Sequence, residues 1–209
     1  MNIVVFGASR GVGLKIVEQA LDAGHIVTAF VRTPAKFTVQ HQNLIVCQGD
    51  SMDAAAVDKA IAGQDAVISA LGPTRPPVPG MMETSAKNIV AAMKKHGVQR
   101  LLSTTGAGVR QPEDQPKFAD HFIGFLLNLL AKNVVLDSAA NVKVIQTSDL
   151  DWTVVRFPRL LDGDHTGKYG FGYVSKDSST QLSRADAAAS ILQELTEKKW
   201  LRKLPLVSY

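Results

Sequence analysis

Apolar runs and helical patterns alternate along nearly the whole chain. Runs rich in Val, Ile, Leu and Phe predict β-strands at 2–6, 25–31, 44–47, 66–70, 100–104 and 152–157. Apolar positions three or four residues apart predict helices at 11–23, 53–62, 81–96, 138–148 and 184–197. Gly24 fits the left-handed position that ends the first helix, and Asp53 suits the N-cap of the second.

Strands of this kind, continuously apolar and separated by helices, predict a parallel sheet with helices on both faces. Right-handed crossovers then give a doubly wound α/β fold. We expect residues 1–209 to form a single domain of this class. Because such sheets bind ligands beyond the carboxyl ends of their strands, function is expected in the residues that follow each strand.

A glycine-rich turn follows the first predicted strand and opens the first predicted helix. Glycines at its first, fifth and seventh positions give the spacing G-x-x-x-G-x-G, a variant of the dinucleotide-binding fingerprint. Such a turn lets the backbone approach a pyrophosphate and aims a helix N-terminus at the anion. The expected contacts are Gly7, Ser9, Arg10, Gly11, Val12 and Gly13. A purely structural strand–helix turn is the alternative.

The residues after the second predicted strand favour NADP(H) over NAD(H). NAD-binding proteins usually place Asp or Glu there to hold the ribose hydroxyls. This chain has Arg32, Thr33 and Lys36, and no acidic residue between 30 and 36. Arg32 can bind a 2′-phosphate with two hydrogen bonds, and Lys36 and Arg10 can add positive charge. The alternative is that Arg32 and Lys36 are solvated surface cations.

Small and polar residues follow the third and fourth predicted strands. Asp50, beside Ser51, can hydrogen-bond an adenine edge, or it can instead start the next helix. Ala70, Leu71 and Gly72 let the backbone pass close to the ribose and nicotinamide, because Ala and Gly have almost no side chain. We expect all five residues at the nucleotide site.

Hydroxyl groups end the fifth predicted strand, at Ser103, Thr104 and Thr105. We expect Ser103 at the cofactor and take Thr104 and Thr105 as candidate catalytic residues. A hydroxyl beside the nicotinamide can polarise a carbonyl or accept a proton through water. It can equally well satisfy the end of the strand, so both interpretations stay open.

Two segments, near 105–130 and 157–183, are expected to form the walls of the substrate cleft. The first carries an apolar helical stripe between 117 and 130 that fits either a core face or an apolar lid. The second begins with Phe157 and Pro158, of which Pro158 is also expected to contact the cofactor. It continues into a glycine-rich loop, a composition that suits a mobile, substrate-shaping element. Its aromatic residues are Tyr169, Phe171 and Tyr173.

The composition of the chain indicates the class of protein and excludes several kinds of site and partner. With 45% hydrophobic and 20% charged residues, the chain has the composition of a soluble globular protein. One cysteine, Cys47, excludes a disulfide framework and a multi-thiolate metal site, and we expect no metal. A net charge of +4 without a dense basic block favours no nucleic-acid partner, and no apolar run is long enough for a membrane span. We expect a cytoplasmic monomer or small homo-oligomer.

The chain resembles the atypical short-chain dehydrogenase/reductase superfamily over essentially its whole length. In particular, it is similar to the small NAD(P)H-binding members around flavin reductase/biliverdin reductase B and the nitrogen-regulator-type dinucleotide sensors. Besides the turn at 7–13, the resemblance rests on Val31-Arg32-Thr33-Pro34, Gly49-Asp50, Ser69-Ala70-Leu71-Gly72, Asp151-Trp152-Thr153-Val154-Val155-Arg156-Phe157-Pro158, Ser183-Arg184-Ala185-Asp186-Ala187-Ala188 and Leu206-Val207-Ser208-Tyr209.

This resemblance implies a Rossmann fold with a short C-terminal substrate lobe, and hydride transfer from NADPH to a flat acceptor such as a flavin or quinone. The Tyr-x-x-x-Lys pair of better-known dehydrogenases is absent, and Lys143 stands in the expected lysine helix without a tyrosine partner. Flavins and quinones tolerate that absence, because they accept hydride at an electron-poor ring and take protons from water. The expected partner is therefore a small-molecule acceptor. A non-catalytic NADP(H)-sensing protein with a protein partner is the alternative.

Overall fold

The computed structural model describes residues 1–74, 76–116 and 132–209. Its strands are β1 (Asn2–Phe6), β2 (Ile26–Val31), β3 (Leu44–Gln48), β4 (Ala66–Ser69), β5 (Arg100–Gly106), β6 (Asp151–Phe157), β7 (Arg159–Leu161), β8 (Gly170–Gly172), β9 (Gln181–Ser183) and β10 (Leu206–Ser208). Its α-helices are α1 (Gly11–Asp22), α2 (Ala54–Ile61), α3 (Met81–His96), α4 (Lys132–Gln146) and α5 (Arg184–Glu197).

An eight-stranded sheet has the order β3-β2-β1-β4-β5-β6-β10-β8, and β7 and β9 form a separate parallel pair. Neighbours from β3 to β10 pair in parallel, while β8 pairs antiparallel with β10 at the edge. The chain runs outward from β1 to β3 and then returns to β4 on the other side of β1. This arrangement confirms the predicted doubly wound Rossmann fold, and the strand order reverses between β1 and β4.

Helices cover both faces of the sheet because its strands are apolar on both sides. Successive residues of β1 enter opposite cores: Ile3 and Val5 pack with α1 and α5, whereas Val4 and Phe6 pack with α2, α3 and α4. No helix in the described ranges is long and apolar enough to cross a membrane.

Most predicted elements lie within a few residues of their predicted bounds. Helix α3 spans the predicted 81–96, and Asp53 caps α2 by accepting hydrogen bonds from the backbone nitrogens of Ala55 (2.9 Å) and Ala56 (3.3 Å). Helix α4 is already formed at Lys132, before its predicted start at 138. The pattern did not predict the four strands β7 to β10, because three residues are too few to show a strand periodicity.

A buried ion pair holds the segment that follows β5. Arg156 donates hydrogen bonds from Nη1 to Asp114 Oδ2 (2.6 Å) and from Nη2 to Asp114 Oδ1 (2.8 Å), and both side chains are almost fully buried. The backbone nitrogens of Gln111 and Val174 donate to the same carboxylate. Burial raises the pKa of Asp114, but these hydrogen bonds outweigh it and hold the pKa below its usual value. The Asp114 carboxylate therefore ties the segment after β5 to Arg156 of β6 and to the segment after β8.

A second buried carboxylate, Asp186 in the first turn of α5, holds the C-terminal region. Its side chain is fully buried, and its oxygens accept hydrogen bonds from Tyr209 Oη (2.7 Å), Thr166 N (2.8 Å), Thr166 Oγ1 (2.8 Å), Gly167 N (3.0 Å) and Ser183 Oγ (3.1 Å), with His165 Nδ1 also at 2.8 Å. Burial raises the pKa of Asp186, yet these donors together hold it far below its ordinary value. One ionised side chain thus joins the loop at 165–167, the start of α5 and Tyr209.

Candidate functional site

A cavity of about 650 Å³ opens at the carboxyl ends of the parallel strands. Each of β1 to β6 contributes lining residues at or just beyond its end, among them Gly7, Arg32, Gly49, Ala70, Thr105 and Phe157. The cavity therefore spans the point where strand order reverses, as expected for a doubly wound sheet. Its volume lies within the range of about 300–1,000 Å³ that is typical of small-molecule and cofactor sites.

The glycine-rich turn between β1 and α1 forms one wall of the cavity. Gly7 has a φ of +79°, and a Cβ there would lie 2.6 Å from the carbonyl oxygen of Ala70. A Cβ on Gly13 would lie 2.1 Å from the carbonyl oxygen of Gly7, so α1 can pack this closely on its own turn only with glycine at that position. Gly13 is buried behind the wall and shapes it without lining the cavity.

The start of helix α1 faces the cavity without a side-chain cap. Arg10 occupies the N-cap position and makes no capping hydrogen bond, and the first turn contains no acidic residue. Ser9, Arg10, Gly11 and Val12 all line the cavity. The first N–H groups of the helix and its partial positive charge are therefore open to a ligand, the arrangement that binds phosphate at helix starts.

At the end of β2, Arg32 is exposed and lines the cavity. Gly49, after β3, lies close to this strand end, because its backbone nitrogen donates to the carbonyl oxygen of Val31. Thr33 and Lys36 are exposed too, but they are not among the lining residues, since the short 3₁₀ turn Pro34–Lys36 follows directly. The structure thus brings Arg32 to the cavity and leaves Thr33 and Lys36 outside it.

Asp50 and Ser51 line the cavity after β3. One oxygen of Asp50 accepts a hydrogen bond from the backbone nitrogen of Met52 (2.9 Å), whereas the helix-capping role that the sequence left open for Asp50 belongs to Asp53. Ser85 of α3 donates to the Ser51 hydroxyl (2.8 Å), so Ser51 also fixes this corner to the helix behind it.

Thr104 and Thr105 line the cavity at the end of β5, beside Pro158 after β6. The Thr105 Oγ1 is buried and has no hydrogen-bond partner among the residues that the structure describes. A buried hydroxyl without a hydrogen bond costs folding free energy. We therefore expect a ligand or a water molecule to form a hydrogen bond with this atom. Ser103, by contrast, is buried and does not line the cavity.

The sequence analysis did not predict one wall of the cavity, which is apolar. Met81 and Met82, at the start of α3, line it together with Val78, and Ser138 joins them from α4. The Asp137 carboxylate accepts hydrogen bonds from the backbone nitrogen of Met82 (3.1 Å) and that of its neighbour, which holds α4 against the start of α3. The sequence offered one signal for this wall, the two adjacent methionines directly after a proline-rich loop. It gave no indication of the contact between α3 and α4, because these helices are far apart in the sequence.

Several expected cleft residues lie elsewhere. Lys143 is exposed on α4 and is not among the lining residues. Tyr169 donates a hydrogen bond to Gln193 Oε1 (3.1 Å), and Phe171 and Tyr173 pack against Trp200 with ring centroids 6.2 and 5.9 Å away. The expectation that these three aromatic residues wall the cleft was wrong, because β8 pairs with β10 at the far edge of the sheet. The apolar stripe between 117 and 130 lies outside the described residues.

The described part of the chain contains no group of three or more His, Cys, Asp or Glu side chains that could hold a metal ion.

A family model described as NAD(P)H-binding matches residues 7–198. The chain belongs to this NAD(P)H-binding family. The match includes the glycine turn, every strand end that lines the cavity and α5, and it confirms the resemblance that the sequence motifs indicated.

One curated relative is (4-alkanoyl-5-oxo-2,5-dihydrofuran-3-yl)methyl phosphate reductase from Streptomyces griseus, 29% identical over 76% of this chain. That match covers 48% of the relative's own length. Among solved structures, an anaerobilin reductase from Escherichia coli O157:H7 is 24% identical with a TM-score of 0.78, covering 100% of this chain and 97% of the other. A short-chain dehydrogenase/reductase from Veillonella parvula in complex with NADP is 17% identical with a TM-score of 0.84, covering 100% and 94%.

Proposed function

We propose that this protein is an NADPH-dependent oxidoreductase that transfers hydride to a flat, conjugated acceptor of the flavin or quinone type. One observation carries the proposal: a single cavity joins an uncapped helix start and exposed arginines to a wall lined by methionines. The first part suits the phosphates of a dinucleotide, and the second suits a planar ring. When bound, the dinucleotide supplies the hydride.

The residues present fit such a cofactor. Glycine at 7 and 13 lets β1, β4 and α1 approach within distances that a Cβ would forbid, so the first N–H groups of α1 lie at the reversal of strand order. In the proposed complex these N–H groups bind the pyrophosphate, and Ala70, Leu71 and Gly72 leave room for the ribose beside it. In the proposed complex, Asp50 binds the adenine edge with the carboxylate oxygen that does not accept a hydrogen bond from Met52.

The preference for NADPH rests on Arg32. Its guanidinium is exposed at the cavity, and no acidic residue stands between 30 and 36. A carboxylate there would hold the ribose hydroxyls of NADH and repel a 2′-phosphate, whereas a guanidinium binds that phosphate with two hydrogen bonds. Arg10, on the neighbouring turn, supplies a second positive charge.

Thr105 is the residue that we assign to the acceptor. Thr105 lines the cavity, and its buried hydroxyl has no hydrogen-bond partner among the described residues. In the proposed complex this hydroxyl donates a hydrogen bond to a carbonyl oxygen of the acceptor. Such a bond strengthens as negative charge develops on that oxygen during reduction. Thr104 and Ser138 add two more hydroxyls, and Met81 and Met82 provide a polarisable apolar surface for a ring. Lys143 has no role in this proposal.

The names of similar proteins support the acceptor class. The Streptomyces relative is named for reduction of an unsaturated, oxo-substituted furan, and the Escherichia coli structure for reduction of anaerobilin, a tetrapyrrole. The NADP complex of the Veillonella parvula protein supports the cofactor. Together they favour a conjugated acceptor and leave its identity to experiment.

The test is steady-state oxidation of NADPH by the purified chain with FMN, riboflavin, menadione and a linear tetrapyrrole as acceptors. We expect turnover with at least one planar acceptor and little with simple alcohols or sugars. NADPH binding without turnover on any acceptor would overturn the reductase proposal.

A non-catalytic NADP(H) sensor is the second candidate. It is favoured by the cavity lining, in which no tyrosine stands among the described residues, and by the exposure of Lys143. This function predicts NADPH binding, no oxidation across the acceptor panel, and a protein partner whose binding depends on the nucleotide. Efficient turnover would exclude it.

A further inference from the structure

Arg184, the first residue of α5, lines the same cavity but has no role in the proposed function so far. We propose that Arg184 binds the pyrophosphate of the dinucleotide, and that Asp162 holds Arg184 when the dinucleotide is absent. The inference rests on the proposed function, because it assigns a further residue to that nucleotide site.

Position is the first argument. The Arg184 Nε would lie 3.9 Å from a Cβ on Gly11, in the turn that opens α1. Gly11 has a φ of +59° and lines the cavity at the uncapped start of that helix. The guanidinium therefore lies beside the N–H groups that the proposed function assigns to the pyrophosphate. A helix start and an arginine fork together form a stronger anion site than either alone.

The second argument is electrostatic. Arg184 is the first helical residue of α5, with Ser183 as N-cap, so its positive charge lies at the positive end of that helix. A cation there is unfavourable by a few tenths of a kcal/mol to about 1 kcal/mol unless an anion is near. Gln19, near the end of α1, donates a hydrogen bond to the carbonyl oxygen of Ala185, which fastens α1 to the start of α5. The Arg184 side chain thus reaches from the start of α5 to Gly11 at the start of α1.

The third argument is the contrast between the backbone and the side chain of Arg184. Ser183 and Asp186 fix the backbone on either side, since the Ser183 hydroxyl accepts from Asp186 N (2.9 Å) and Asp186 is fully buried. The Arg184 side chain, by contrast, makes one hydrogen bond within the described residues, from Nη1 to Asp162 Oδ1 (2.5 Å). Asp162 is 96% exposed and lines the cavity too. An exposed ion pair of this kind contributes little stability and exchanges readily for a phosphate.

The test is calorimetric titration of Arg184→Ala with NADPH, NADH and ADP-ribose. All three ligands carry the pyrophosphate, so we expect each to lose affinity by a similar factor of about tenfold. Lys15→Ala is the matched control, because Lys15 is an exposed cation of α1 paired with an exposed carboxylate, Glu18, away from the cavity. That control should bind all three ligands like the wild type.

Asp162→Asn sharpens the test. If Asp162 competes for Arg184, its neutralisation should raise affinity for all three ligands, by about twofold or more. An unchanged or lowered affinity would overturn the role of Asp162.

Wild-type affinities in Arg184→Ala would overturn the inference and leave the proposed function intact. So would a loss confined to NADPH and NADH, since ADP-ribose keeps the pyrophosphate and differs from NADH only by lacking the nicotinamide base. A wild-type chain that binds none of the three ligands would instead remove the proposed function, and the inference with it. Thermal unfolding of each variant checks that the fold is kept.

Discussion

Charged side chains in two regions of this protein have opposite surroundings. Behind the cavity and at the amino ends of the strands they are buried and paired, as Arg100 is with Glu194 and Arg156 with Asp114. In the cavity, the arginines at 10 and 32 are exposed and make no side-chain hydrogen bond or ion pair within the described residues, and Arg184 has one exposed partner.

The buried charges stabilise the fold, whereas the proposed function assigns the exposed charges of the cavity to ligand binding. A buried ion that loses its partner keeps its desolvation cost, so a change there acts on the free energy of unfolding. An exposed arginine contributes roughly 0–1 kcal/mol to folding, so its loss acts on ligand binding. Substitutions in the two regions should therefore have separable effects.

The largest effect is expected at Glu194, which is almost fully buried. It accepts hydrogen bonds from Arg100 Nη2 (3.0 Å), Thr153 Oγ1 (3.0 Å) and Trp200 N (3.1 Å). Glu194→Ala leaves Arg100 buried without its counter-charge, and we expect the free energy of unfolding to fall by about 3–5 kcal/mol. Denaturant titration measures it.

Glu197→Ala is the matched control for Glu194→Ala. Glu197 lies one turn further along α5, where it pairs with Lys199 near the surface, so its loss should change stability by less than about 0.5 kcal/mol. The two regions would not differ as described if both variants lost the same unfolding free energy. The same would follow if Glu194→Ala remained folded but lost affinity for NADPH.

The second effect is a pH dependence at Asp186. Since its pKa in the folded protein is lowered far below the ordinary 3.8, the ionised form adds stability that is complete above that ordinary value and is lost as the pH falls towards the folded value. Asp186→Asn should therefore be less stable than the wild type by about 2 kcal/mol at pH 7, and the gap should narrow below about pH 4.

Urea unfolding between about pH 7 and pH 3 measures that gap. A gap independent of pH would show that the Asp186 charge has no part in holding the C-terminal region.

Thr105→Val should have a smaller effect, confined to turnover. Valine has nearly the same shape but lacks the hydroxyl, so kcat with the best acceptor should fall about tenfold while NADPH affinity stays unchanged. Stability should not fall, because the lost hydroxyl is buried and unpartnered among the described residues. An unchanged kcat in Thr105→Val would show that the Thr105 hydroxyl has no role in the reaction.

The smallest effect is expected for Lys36→Ala. Lys36 is exposed and does not line the cavity, so we expect NADPH affinity within about twofold of the wild type in calorimetry. A tenfold loss would restore the prediction that Lys36 contacts the 2′-phosphate.

Local sequence patterns were enough to predict the first strand and helix, the helix α3 and the position of Arg32. The apolar run, glycine turn and helical pattern between 2 and 23 predicted β1 and α1, since each depends on neighbours in the sequence. The same holds for α3, which ends at Gly97 with a φ of +69°. Arg32 reached the cavity as predicted because it directly follows a strand of the parallel sheet.

The remaining features depend on contacts between distant parts of the chain. Tyr169 and Phe171 lie away from the cavity because β8 pairs with β10, and strands of three residues show no pattern. Arg184 reaches Gly11 because α5 packs on α1, and Met82 reaches Ser138 because α3 packs on α4. No spacing within the sequence indicates these pairs.

The central claim is that the cavity binds a dinucleotide bearing a 2′-phosphate. Calorimetric titration of the wild type and Arg32→Ala with NADPH and NADH tests it most directly. We predict that the wild type binds NADPH at least about tenfold more tightly than NADH, and that Arg32→Ala loses this preference while keeping its affinity for NADH. Equal affinities for the two coenzymes in the wild type, or no binding heat with either, would contradict the claim.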